Sequence, residues 1–190
     1  MGNKTIWQGS TQLAPVPAVL VGTGNGNDFK YNLITIAWAG IVSSNPPMLS
    51  VSIRPERYSR GLLESTGEFT VNIPTVEMAE AVDYCGMVSG RDVDKFKKCN
   101  FTAKRGSKVA APIVEECPLS LECKLHHSLK LGSHIMYIGE IVAVQATSSF
   151  IDTNGKFDLA GANVLGYAHG NYYALGEEVG KFGFSVKKKD

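Results

Sequence analysis

The chain has 190 residues, of which 44% are hydrophobic and 19% charged; that is enough apolar material for one domain spanning 1–190 and too much for wholesale disorder. Lys and Arg number 19 against 18 Asp and Glu, a net charge of +1, which argues against a dedicated nucleic-acid binder, whose affinity rests on neutralising phosphates. No apolar run approaches a membrane-spanning length, and the N-terminus lacks the basic-then-apolar layout of a secretory signal. A cytoplasmic protein with no nucleic-acid and no membrane partner is expected.

In chain order, β-branched content and alternation predict a first strand over 18–22. Gly22-Thr23-Gly24-Asn25-Gly26 then invites a dinucleotide-binding reading, but that fingerprint must open a helix. Here it runs through Asn27, Asp28 and Phe29 into a second strand over 32–39, so it reads as a glycine-rich loop between strands. A strand over 48–53 is followed by a Pro55 turn and a helix over 58–64. Next come a strand over 68–73 and a helix over 76–84, with Thr75 as its N-cap and Gly86 just past its end. A helix over 92–99 precedes two long strands over 119–131 and 135–147. In the first of these Leu119, Leu121, Cys123 and Leu125 make one apolar face; the second is apolar on both faces and is expected to be buried on both. Asp152-Thr153-Asn154-Gly155 is a turn, 172–175 a last strand, and Lys187-Lys188-Lys189 a solvated tail. Many strands with a few short helices describe a mainly β protein, a small barrel with helices at its mouth.

Cys85, Cys99, Cys117 and Cys123 lack CxxC spacing, so neither a zinc ribbon nor a thioredoxin-type site is indicated. They read as reduced, buried small hydrophobes, with Cys117 and Cys123 able to share a strand face. His126 and His127 are adjacent on a strand and point opposite ways, and no histidine pair has ligand spacing, so no metal site is expected.

One stretch concentrates chemistry. A strand mixing Asn32 and Thr35 with the small Ala37, Ala39 and Gly40 can bring its backbone close to a flat ring. Ser52, Arg54, Arg57, Tyr58 and Ser59 follow around a helix start, and a helix N-terminus beside arginines suits a phosphate. By residue chemistry alone, an edge-strand salt bridge for Arg54 and a simple helix cap by Ser59 stand as even alternatives.

The order of segments resembles the flavin reductase-like family of FMN-binding split barrels, in particular its flavoredoxin branch. The matching stretches are NLITIAWAGIVSSNPPMLSVSIRPERYS, FTVNIP, AVDYCGMVSGRDVDKF, APIVEECPLSLEC, GSHIMYIGEIVAV and GKFGFSV, which together span nearly the whole chain. The resemblance implies a split barrel that forms a homodimer and holds FMN near the subunit interface. It implies that the strand from Asn32 through Thr35 and Ile36 to Ala37 lies along the isoalloxazine ring. Ser52, Arg54, Arg57, Tyr58 and Ser59 would surround the ribityl phosphate, and Ser89, Gly90, Arg91 and Lys95 would close over the cofactor. Lys95 has the competing reading of a solvated helix charge. His134 stands where this family often has a histidine near the open face of the flavin, and a structural histidine is the competing reading. Trp38-Ala39-Gly40 departs from the more polar residues many flavin reductases carry beside the ring.

The function expected is electron transfer on FMN, as an NAD(P)H:flavin oxidoreductase or a flavoredoxin-like carrier, with NAD(P)H or a protein as electron donor. The alternative is a non-catalytic split-barrel module that binds flavin or haem, with His134 as its candidate ligand.

Overall fold

The computed structural model describes residues 2–186; the expected Lys187-Lys188-Lys189 tail lies outside them. A short strand β1 (Val16–Pro17) leads into β2 (Val19–Thr23), β3 (Asn32–Ile36), β4 (Ala39–Ser44) and β5 (Pro47–Ile53). Helix α1 (Tyr58–Thr66) and β6 (Glu68–Ile73) follow, then a 3-10 turn at Val76–Met78 that runs into α2 (Ala79–Met87), and the single-turn α3 (Lys95–Lys98). The chain continues through β7 (Ala103–Arg105), β8 (Pro112–Val114), β9 (Leu119–Leu131), β10 (His134–Ala146), β11 (Leu165–Ala168) and β12 (Asn171–Ala174).

Seven of these strands form one antiparallel sheet in the order β3-β2-β6-β9-β10-β5-β4. Side chains from near both ends of that order, Ile34 and Ile36 of β3 and Leu49, Val51 and Ile53 of β5, share one core with Val21, Phe69, Cys123 and Tyr137. The sheet therefore curls on itself, and because β3 and β4 are not paired among the described residues the barrel stays split there. On the outer face of β2 and β3, residues Ala18, Leu20 and Leu33 form a second core with Val82 and Cys85 of α2, Phe96 of α3 and Val114 of β8. The fold is mainly β with few short helices, as the sequence led us to expect.

Several elements depart from the sequence reading. The strand expected over 32–39 ends at Ile36; Ala37 and Trp38 bend, and Ala39 starts β4, a strand the sequence did not announce. Asn45 and Pro46 form the turn into β5, which starts at Pro47, one residue before the expected strand over 48–53. The helix expected over 92–99 shrinks to Lys95–Lys98, capped by the Asp94 carboxylate, which accepts from Lys97 N–H. Gly86 lies inside α2, not past its end, and Thr75 makes no side-chain cap. Cys117 and Cys123 fall in different cores. Half of β10 is less enclosed than expected, with Val144 exposed, whereas Ile135 and Tyr137 are buried. The glycine-rich segment does join two antiparallel strands, with Gly24 and Gly26 at positive φ.

Candidate functional site

The bend at Ala37 and Trp38 opens a groove of about 270 Å³ between the split ends of the sheet. Its wall is the run Ile34, Thr35, Ile36, Ala37 and Trp38, faced by Ser52 of β5, by Arg54 and Arg57, by His134 at the start of β10 and by Tyr167 of β11. A second groove of about 190 Å³ shares Ile34 and Arg57 with the first. It is lined by Glu56, Tyr58, Ser59, Val88, Ser89, Gly90, Arg91 and Lys95. The two thus adjoin at Ile34 and Arg57: one runs along an edge strand, the other is rich in donors.

Every residue the resemblance places at the cofactor lines one of these grooves except Asn32, which lies directly behind them; Ala39 and Gly40 of the same stretch line neither. Asn32 is buried and its Nδ2 donates to the Ser59 hydroxyl at 2.7 Å. Ser59 is therefore not the helix cap. It sits in the first turn of α1, and the N-cap is Arg57, whose side chain makes no capping bond. The first-turn N–H groups of α1 at Tyr58 and Ser59 consequently border the second groove without a side-chain acceptor. Ser52 and Arg54 line the first groove, away from Tyr58 and Ser59, so the five residues grouped around one phosphate by resemblance are divided between the grooves. Arg54 is in neither of the ion pairs found among the described residues, Arg60–Glu64 and Lys104–Glu115.

Lys95 is not a solvated helix charge. Its side chain is buried, and Nζ donates to the carbonyls of Leu33 at 2.8 Å and Cys85 at 2.6 Å. An ammonium has three donors, so one is left for the groove that Lys95 lines. Its pKa is lowered to about 8, first by burial; the nearby Cys85 thiol opposes the shift, the Arg57 charge adds to it and the Cys99 thiol opposes it. Arg91 lies 5.4 Å over the Tyr58 ring, and its Nη1 reaches the Glu56 carbonyl at 3.4 Å, which holds a second cation on the rim. His134 Nδ1 is 2.9 Å from the Ser133 hydroxyl; its pKa is lowered by burial and by Arg54, with Glu56 opposing.

The sequence reading missed Glu56, Val88 and Tyr167 as lining residues; Ile34, within the strand laid along the ring, and Trp38, placed beside it, both line the first groove. Tyr167 arrives from β11, far along the chain, and no local pattern marks it. Trp38 and Tyr167 also border a third groove of about 340 Å³, with Leu13, Val16 and His169, so the first groove has a neighbouring approach. The contact between the Cys85 and Cys99 thiols, at 3.8 Å, was likewise unforeseen.

The sequence model of the "Flavin reductase like domain" family matches residues 11–176. The GKFGFSV stretch at 180–186 lies beyond that match. The structure superposes on flavoredoxin of Desulfovibrio vulgaris (Miyazaki F) with a TM-score of 0.91 and 34% identity, covering 97% of this chain and 100% of that one. A flavoredoxin from Methanosarcina acetivorans gives 0.86 and 31%, covering 98% and 100%. An FMN-binding protein from Thermus thermophilus, solved with bound 1-cyclohex-2-enone, gives 0.80 and 25%, covering 95% and 99%.

Proposed function

The chain belongs to the flavin reductase-like domain family, and from that premise we propose that it binds FMN and transfers electrons, as an NAD(P)H:flavin oxidoreductase or a flavoredoxin-like carrier. The observation that carries the reading is that the groove along residues 34–38 adjoins the cationic groove at the start of α1, the two sharing Ile34 and Arg57. The second groove offers the uncapped first turn of α1, Arg57, Arg91 and the remaining donor of Lys95. That donor set fits a phosphate monoester. Arg57, Ser59, Arg91 and Lys95 would hold the phosphate, and the wall from Ile34 to Trp38 would lie along the ring.

When bound, FMN supplies the redox chemistry, taking up a hydride or passing electrons singly. The chain's own residues bind and orient. Asn32 fixes Ser59, Lys95 ties β3 to α2 beneath the groove, and Arg54 and His134 stand at the mouth of the first groove. His134 would hold a proton or steer a donor without forming a covalent bond. Trp38 and Tyr167, shared with the third groove, offer an apolar approach for a nicotinamide or a protein donor. We also propose a homodimer, located in the cytoplasm.

Absorbance and equilibrium dialysis test the reading. The purified protein is expected to bind one FMN per chain, and Arg57→Ala with Arg91→Ala to weaken FMN about a hundredfold while riboflavin affinity stays within about threefold. Equal loss of both flavins would mean the phosphate is elsewhere, and no flavin binding at all would remove the reading. Anaerobic mixing with NADH, NADPH and a reduced iron–sulfur protein then identifies the donor. His134→Ala is expected to slow flavin reduction about tenfold to a hundredfold, without abolishing it.

A further inference from the structure

Cys85 lies in the last turn of α2 and Cys99 caps the C-terminus of α3, with their Sγ atoms 3.8 Å apart. Cys85 is fully buried. Cys99 is half-buried and borders an open groove of about 540 Å³ outside α2, beside Asp83, Tyr84 and Lys98. One thiol of the two is therefore reachable by a small solute, and the other stands directly behind it.

The stretch between them carries Val88, Ser89, Gly90, Arg91 and Lys95, one whole wall of the cationic groove. The base of this loop is already drawn together. Lys95 Nζ donates to the Cys85 carbonyl at 2.6 Å, and Cys99 N–H donates to the Lys95 carbonyl at 3.0 Å. The thiols thus sit at the neck of the segment that walls the groove.

We propose that Cys85 and Cys99 are a redox-active thiol pair, closed to a disulfide by hydroperoxides and reopened by dithiols, that locks the 88–95 wall and slows release of a phosphorylated ligand. The identity of that ligand rests on the FMN reading above; the crosslink and its effect on the wall do not. In the first step Cys99 sulfur attacks a peroxide oxygen, the O–O bond breaks, and a sulfenic acid and water form. In the second, Cys85 sulfur attacks the sulfenyl sulfur, the S–O bond breaks, and a second water leaves with the Cys85 proton. Two thiols are oxidised by two electrons and one hydrogen peroxide is reduced to two waters. The pair takes no part in electron transfer through the cofactor. It acts because closing the neck removes open conformations of the loop, and local opening is the route by which a held ligand leaves.

The test uses the full-length protein with and without stoichiometric hydrogen peroxide. Thiol alkylation under denaturing conditions, followed by peptide mapping, is expected to give one crosslinked species, Cys85–Cys99, with the loss of two hydrogen masses. Cys117 and Cys123 should remain alkylatable, and dithiothreitol should restore all four. Amide hydrogen exchange across residues 88–95 should slow about tenfold in the crosslinked form, and FMN release should slow by a similar factor. Cys99→Ser, at a half-buried position, should fold, show no crosslink and lose both responses. Cys99 oxidised to the sulfinic acid while Cys85 stays alkylatable would overturn the proposal, as would a crosslink that leaves exchange across 88–95 unchanged. If the protein binds no FMN, the peptide map and the exchange data still decide the matter.

Discussion

A Cβ built on Gly90 would stand 1.9 Å from Asn32 Oδ1. The missing side chain lets the 88–95 segment lie against the amide that also bonds Ser59. Gly90→Ala must push Asn32 aside, so it is expected to cost about 1–3 kcal/mol in denaturant unfolding and to weaken FMN binding. Gly61→Ala, in α1 with no atom within 4 Å of the added carbon, is the matched control and should be neutral or stabilising by about 0.5–1 kcal/mol. Glu122 is the other decisive residue. It is fully buried on β9, facing away from the barrel core, and it accepts from Ser107 N–H and hydroxyl, Lys108 N–H, Val109 N–H and Gln145 Nε2. Burial pushes its carboxyl up, but the Lys108 N–H, the Gln145 amide and the Ser107 donors outweigh that and bring it down to about 2. A depressed folded-state pKa adds stability that is complete above the ordinary carboxyl range and is lost as the pH falls from there toward about 2. Glu122→Gln turns a donor toward these N–H groups, so it should destabilise the protein by about 2–3 kcal/mol at neutral pH and flatten the acid limb of its stability curve. Thermal unfolding across pH 2–6 checks both statements.

Helix α3 has only the residues Lys95–Lys98, yet its first residue joins three elements through the Leu33 and Cys85 carbonyls. Because the Lys95 pKa is lowered to about 8, FMN affinity should fall as the pH rises through and above that value, if the Lys95 ammonium meets the phosphate as proposed. Riboflavin affinity should not follow it, and Lys95→Arg should remove the dependence; fluorescence titration from pH 7 to 10 is the measurement. The long hairpin of β9 and β10 was legible because apolar side chains recur over Leu119–Leu131 and His134–Ala146, far longer than chance alternation. Strand β4 was not. Ala39 and Gly40 carry little strand signal, Ser43 and Ser44 read as loop, and its pairing to β5 is a tertiary fact. The three-residue β7 and β8 and the glycine-bearing β11 are too short to show a period. Of the candidate site, Arg57, Tyr58 and Ser59 stood out by residue chemistry, whereas the SGRDVDKF segment was placed there by the family resemblance. Tyr167 needed the fold, and the burial of Lys95 needed the neighbouring carbonyls, which leave no trace in side-chain order.

At the scale of the whole molecule, the split that admits a ligand also leaves apolar surface open. Strand β4 ends the sheet order, and on it Ile41 is 66% and Val42 50% exposed. An unpartnered edge strand carrying such residues is a pairing hazard unless another surface covers it. Leu129 and Leu131 on β9 and Val144 on β10 are exposed as well, at the two ends of the long hairpin. Trp38, in the bend just before β4, is part-exposed and lines the first groove, so whatever covers β4 lies next to the proposed cofactor. A second copy is the cover expected here: a stable symmetric interface hides about 1,200–2,000 Å² or more and repeats the same apolar patch on both sides. Light scattering at micromolar concentration should therefore give a dimer. Ile41→Asp places a charge on the exposed edge without entering the buried core, so the variant should fold, run as a monomer and release FMN about tenfold faster. If Ile41→Asp is a monomer with wild-type FMN retention, the second copy is not part of the groove. If the wild type is itself a stable FMN-loaded monomer, the exposed edge of β4 must be explained by some other contact.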